Sequence, residues 1–177
     1  MPTNSPLKND ARPHRRLWSE AALAGTLASV LSAVVLGWTG HREKRSITAP
    51  VNAVSHWWWG KPALRAKGLS VRHTLLGYAI HHGAALGWAA LHALAVRGRT
   101  KSATPAALVA GAAATSAVAC LVDFKCTPER FTPGFEHHLS RSALVGVYAA
   151  FALGLALAHG FCESRAKRGS TESRPKP

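Results

Sequence analysis

The sequence predicts an all-α, polytopic membrane protein with four transmembrane helices in an antiparallel bundle. Three observations carry that prediction. First, residues 21–41, 73–96, 102–122 and 142–162 contain no Asp, Glu, Lys or Arg, so every charge is confined to the other half of the chain. Second, each window reaches the roughly 20 helical residues, at about 1.5 Å each, that cross a hydrocarbon core of about 30 Å. Third, the windows are Ala/Leu/Val/Gly tracts without the alternation of barrel strands, and only helices or closed barrels satisfy the backbone in lipid. The net charge of +14 over 177 residues, with 22 Lys+Arg against 8 Asp+Glu, would suit a soluble nucleic-acid binder if it were spread evenly. Its segregation excludes that class.

The first span is placed at 17–38, with Trp18 and Trp38 near its two interfaces and Glu20 one turn inside. Its apolar stretch exceeds the 7–15 residues of a cleaved signal core, so an uncleaved helix is expected. The second span covers 73–96. The third, 103–122, is Ala-rich, carries Thr115 and Ser116 and ends at Asp123. The fourth covers 142–161. Residues 1–16 and 163–177, polar, basic and Pro-containing, are expected to be flexible ends. The short connection after the second span forces a hairpin. The connection from Gly40 to Arg72 contains Trp57, Trp58 and Trp59 beside Lys61 and Arg65. Residues 50–66 are accordingly expected to lie in the membrane interface as an anchor.

Lys and Arg near the span ends set orientation. The clusters RPHRR, RGRTK and SRAKR abut spans and place both termini in the cytoplasm; HREKR after the first span opposes this. The basic collars suit anionic lipid headgroups. The expected location is the bacterial inner membrane.

Small residues supply packing faces. Gly83 and Gly87 lie one turn apart in the second span, and Gly146, Ala150, Gly154 and Ala158 repeat every four residues in the fourth. Such faces serve contacts within the bundle first and contacts between subunits second. A weak internal repeat pairs Ala24-Gly25 with Ala110-Gly111, and Gly87 and His92 with Gly154 and His159. Duplication and chance similarity between Ala/Gly-rich helices stand level.

The informative polar residues are histidines. His81 and His92 share one helical stripe with Trp88, and His82 faces about 100° away. Three roles compete: interhelical hydrogen bonding, haem or metal ligation by His81, His92 and His159, and proton relay in a small transporter. The first is the commonest use of such rings. His81 and His92 stand about 16 Å apart along one helix and cannot share an ion, and no acid is expected deep in a span to partner a relay. Asp123 is read as a boundary residue paired with Lys125, Arg130 or Arg141. Asn52, His56, His82 and Glu136, polar and near span ends, form a candidate ligand set. No catalytic residue, metal centre or cofactor is expected. The three cysteines form no C-x-x-C, and no phosphate-binding loop, nucleophile elbow or DNA-reading motif occurs.

An ordered set of motifs runs AP-x-N-A-x-S-H-W-x-W-G from Ala49 to Gly60, RHT-x-x-GY-x-x-HH from Arg72 to His82, WA-x-L-H from Trp88 to His92, VD-F from Val122 to Phe124 and R-x-TPGFE from Arg130 to Glu136. This set resembles small four-span inner-membrane proteins of unknown function from proteobacteria. The resemblance covers roughly residues 20–160. It implies an integral membrane protein and brings no reaction with it. Lys61 and Ala93 depart from the family's pattern, which favours an acid at both places. The functional expectation is a structural or accessory membrane protein, with a haem-binding or redox subunit and a small transporter as alternatives.

Overall fold

The computed structural model describes residues 11–97 and 104–172, with side chains over 16–97 and 104–161. Those residues are helical, and no strand occurs among them. The helices are α1 (Ala11–Lys44), α2 (Ala49–Val54), α3 (His56–Trp59), α4 (Leu76–Ala95), α5 (Pro105–Leu121) and α6 (Arg141–Glu172). Three stretches are long and apolar enough to cross a membrane: Arg16–Lys44, Pro105–Cys126 and Arg141–Phe161. The second expected span, now α4, is not among them. Tyr78, His81, His82 and His92 lower its apolar content while leaving it free of charge.

The helices overrun the expected bounds. α1 begins at Ala11 and α6 runs to Glu172, so RPHRR and SRAKR continue helices instead of forming flexible ends. Ala, Arg, Lys and Glu are good helix formers, and a helix already nucleated in each span propagates into them at little cost. The remainder of the expected flexible ends and the hairpin turn lie outside the described residues.

Local chemistry sets the other boundaries. Pro105 starts α5 behind Thr104, whose hydroxyl accepts from the Ala107 N–H at 3.2 Å. Ser70 opens the approach to α4: its hydroxyl accepts from the His73 N–H at 3.1 Å, and Thr74 accepts from the Ser70 N–H at 3.0 Å. This is a reciprocal cap of the capping-box kind. Glu43 accepts from both the N–H and the hydroxyl of Ser140, each at 2.7 Å, bringing a negative charge to the N-terminus of α6.

α1 packs extensively on α6 and α4, α5 packs on α6, and α4 barely touches α5. The α1–α6 contact is close because Gly154 lies on the α1 backbone, where a Cβ would come within 2.3 Å of the Ala28 Cα. Gly25 similarly admits Leu86 of α4. The Gly83/Gly87 pair does not pack within the chain: both residues are exposed, and a Cβ on either would meet nothing within 4 Å. Under the weak duplication, α1 would correspond to α5 and α4 to α6. The tight α1–α6 contact would then be matched by α5–α4, which instead stands apart. A cavity occupies that gap.

Candidate functional site: a polar-floored cavity under a folded cap

The segment expected as an interface anchor is a folded cap. Ala49, Pro50, Asn52, Ala53 and Val54 of α2 are buried, and residues 45–75 pack against residues 127–140. Asn52 is wholly buried and uses its entire amide. Its Nδ2 donates to the carbonyls of Ala66 (3.1 Å) and Gly68 (2.8 Å), and its Oδ1 accepts from the Thr74 hydroxyl (2.7 Å). Ser55 donates to the Asn52 carbonyl at 2.7 Å, so its oxygen accepts from Nδ1–H of His73 at 3.0 Å.

Three side chains tie the two connections together. Trp57 Nε1 donates to the Thr132 carbonyl at 2.7 Å, His138 Nε2 to Leu64 at 2.8 Å, and His56 Nδ1 to Ala53 at 2.8 Å, with its Nε2 facing the Glu129 carbonyl at 3.5 Å. Gly134, at φ 86°, has its α-carbon against the Ala53 carbonyl and His56, where a Cβ would come within 2.7 Å. A left-handed backbone and this close approach both require glycine. Of the three tryptophans, Trp58 is exposed as an anchor should be, at 70%. Trp59 stacks with Arg72, whose guanidinium carbon lies 4.2 Å from the ring centroid, and Trp57 turns inward.

Trp57 forms part of a cavity of about 210 Å3. Its walls are α4 (His81, Ala84, Trp88) and α5 with its π-helical extension (Ala119, Asp123); α6 contributes Tyr148 and Phe151. Phe131 and Phe135 of the cap roof it over. Ala84 and Phe131 are exposed at its rim.

Asp123 is the largest departure from the sequence reading. It pairs with none of Lys125, Arg130 and Arg141; the Tyr148 hydroxyl donates to its Oδ2 at 2.6 Å. Tyr148 lies two turns inside α6, so the half-buried carboxylate just past the end of α5 is drawn toward α6. The cause is local. The chain does not leave the helix at Asp123 but continues through a π-helical turn, Val122–Cys126, which turns the carboxylate toward α6. Glu136 stands within electrostatic reach of both Asp123 and Tyr148, and its Oε2 is buried with no hydrogen-bond partner. The salt bridges among the described residues are Arg16–Glu20 and Lys61–Glu129, so neither Asp123, which lines the cavity, nor Glu136 has a cationic side chain as partner. Opposite them, His81 Nε2 lies 2.9 Å from the Ser32 hydroxyl. Ser32 donates to the Ala28 carbonyl at 2.7 Å, so the ring is the donor in that pair.

Of the four-residue ligand set, Asn52, His56 and Glu136 belong to the cap and His82 to α4. Asn52 and His56 are committed to the cap backbone, and His82 meets Ser29 at 3.0 Å while stacking on Tyr78. Glu136 alone of the four adjoins the cavity acids. The haem or metal candidates also divide. His81 faces the cavity, whereas His92 and His159 meet each other, Nε2 to Nε2, at 3.0 Å. Thr115 donates to the Gly111 carbonyl at 3.0 Å and therefore accepts from His92 Nδ1–H at 2.8 Å. His92 Nε2 then accepts from His159 Nε2–H. Two imidazoles on opposite faces of one haem iron would stand about 4 Å apart at metal–nitrogen distances near 2 Å, wider than the 3.0 Å between these two nitrogens. No group of three or more His, Cys, Asp or Glu able to hold a metal ion occurs among the described residues.

Asp123 and Tyr148 are the site residues that sequence reasoning missed. The available signal was scarcity: the chain has 8 acids and 2 tyrosines, and both tyrosines lie in charge-free windows while Glu20, Asp123 and Glu163 adjoin one, so scarcity narrows the choice without singling out this pair. Fold and site together define, among the described residues, an all-helical protein with three helices long and apolar enough to cross a membrane and a cavity between α4, α5 and α6. No family model, curated protein or solved structure matches the chain.

Proposed function

We propose that the chain is a four-span accessory protein of the bacterial inner membrane that takes an amphipathic molecule from the bilayer into the cavity between α4 and α5. The observation that carries this reading is the cavity itself, apolar and aromatic on most of its wall, with Asp123, Tyr148 and His81 at fixed positions. A concave apolar site with a few convergent polar groups is the usual form of a small-molecule site. The fourth span is α4. Its 20 residues suffice in length, and its deep rings find partners on neighbouring helices: His81 on Ser32, His82 on Ser29, His92 on Thr115 and His159. Polar groups satisfied in this way can reside in lipid. The basic clusters at both ends support cytoplasmic termini, and the ordered motifs support kinship with the four-span proteobacterial proteins. In the cavity the Ser32 hydroxyl lies beside His81 but donates to the Ala28 carbonyl, so its proton does not point at the ring, which favours binding over catalysis at this pair.

The test uses 12-bromododecanol, whose bromine quenches nearby tryptophans, added to the purified protein in lipid nanodiscs. Trp57 and Trp88 line the cavity, so saturable quenching is expected, reduced in Trp88→Phe and abolished by Ala84→Phe at the mouth. Quenching that rises without saturation and is unchanged by Ala84→Phe would remove the reading. Reporter fusions at both termini test the even number of spans.

A further inference from the structure

We propose that the cavity selects a cation: an ammonium group carried on an alkyl or aryl chain, held by the Asp123 carboxylate and the aromatic faces around it. This rests on the amphiphile-binding reading above and specifies the ligand's head. Two independent observations support it, the charge balance and the wall.

The charge balance is unusual for this chain. It carries 22 Lys+Arg, yet no Lys or Arg among the described residues lines the cavity. Asp123 receives one hydrogen bond, from Tyr148, and Glu136 close by has a buried oxygen without a partner. Removing a carboxylate from water without a counter-charge is costly, and the cost falls when a positive group arrives. In a chain with cations to spare, the described ones all stand away from the cavity, which leaves the compensating charge to a ligand.

The wall suits the same ligand. Trp57, Trp88, Phe131 and Phe151 present rings to the space beside the acid. Aromatic faces attract ammonium groups, more strongly when desolvated, and they also accept the attached hydrocarbon. An anionic head would face one carboxylate directly and a second nearby. A neutral alcohol would leave the charge uncompensated.

Three chain-matched probes separate the head from the tail: 12-bromododecyltrimethylammonium, 12-bromododecanol and 12-bromododecanoate. Binding is read by tryptophan quenching and referenced to Ala84→Phe, so that partition into the bilayer cancels. The ammonium probe is expected to bind at least tenfold more tightly than the alcohol, and the carboxylate most weakly. Asp123→Asn should bring the ammonium probe down to the level of the alcohol while alcohol binding persists, which reports an intact cavity. Tyr148→Phe, which keeps the carboxylate, should retain the preference even if Asp123→Asn fails to fold. Equal binding of ammonium and alcohol by the wild type, or a preference surviving in folded Asp123→Asn, overturns cation selection and leaves amphiphile binding standing. Saturable binding of no probe overturns both readings.

Discussion

Asn52 and Glu136 belong to the two connections that build the same cap, and the structure treats them in opposite ways. Asn52 is fully buried, and all its polar capacity is used within the protein: two carbonyls accept from its amide nitrogen and one hydroxyl donates to its oxygen. Glu136, next to the cavity residue Phe135 and within electrostatic reach of Asp123, has one buried oxygen without a hydrogen-bond partner. A buried polar group with its bonds complete fixes a conformation, as Asn52 fixes α2 against the approach to α4. A buried polar group left incomplete costs stability and is retained where something outside the chain completes it. Asn52 is therefore scaffold within the 45–75 connection, which also lends Trp57 to the cavity wall, and under the binding reading proposed above the 127–140 connection joins scaffold on one face to the ligand site on the other.

The largest effect that could break this contrast is Asn52→Leu. The substitution takes the buried amide away from the part-buried carbonyls of Ala66 and Gly68 and from the Thr74 hydroxyl. At about 1–3 kcal/mol for each buried group left unpaired, and with partial relaxation, a loss of about 3 kcal/mol is expected. Reversible unfolding in mixed micelles, followed by circular dichroism, measures it. A loss below about 1 kcal/mol would mean that the cap does not depend on this amide. Glu136→Gln gives the smaller and sharper comparison. With no partner on Oε2 to lose, stability should stay within about 1 kcal/mol of wild type or rise slightly, since a charge is removed from a site without a counter-charge. Affinity for 12-bromododecyltrimethylammonium should fall a fewfold in the same variant. A destabilisation matching that of Asn52→Leu would make Glu136 scaffold as well.

Much of this architecture is legible in the residues and some is not, and the division is physical. Charge-free windows reveal helices because lipid tolerates few alternatives, so α1, α5 and α6 stand where the sequence places them. The overruns of α1 and α6 are invisible to that criterion, because basic residues mark the membrane boundary without ending a helix. The cap is illegible for another reason. Its stability comes from side chain to carbonyl bonds between residues far apart, such as Trp57 to Thr132 and His138 to Leu64, and no local pattern encodes them. His92 and His159 could be suspected of meeting because both are histidines inside apolar windows. The pairing of Asp123 with Tyr148 could not, since it depends on a π-helical turn that no periodicity announces.

His138 offers the smallest test, and it bears on how the two connections are joined. Its Nε2–H donates to the Leu64 carbonyl, and its ring is buried between the cap segments. Burial holds the imidazole's pKa below its ordinary value of 6.5; the Leu64 carbonyl opposes that shift, and His137, Lys44 and Lys67 add to it. The unfolded chain therefore binds a proton at this position more readily than the folded one, and stability must increase with pH across the interval between the two values. Stability from this residue is complete above about 6.5 and is lost as pH falls below that value, down to the folded pKa. His138→Gln keeps a donor able to reach the carbonyl but cannot titrate. The melting temperature of the wild type, relative to that of His138→Gln, should thus decline from pH 7.5 to 5.5. Parallel profiles would show that the imidazole is not buried in the folded state, and the junction between the two connections would then rest on Trp57 and Gly134 instead.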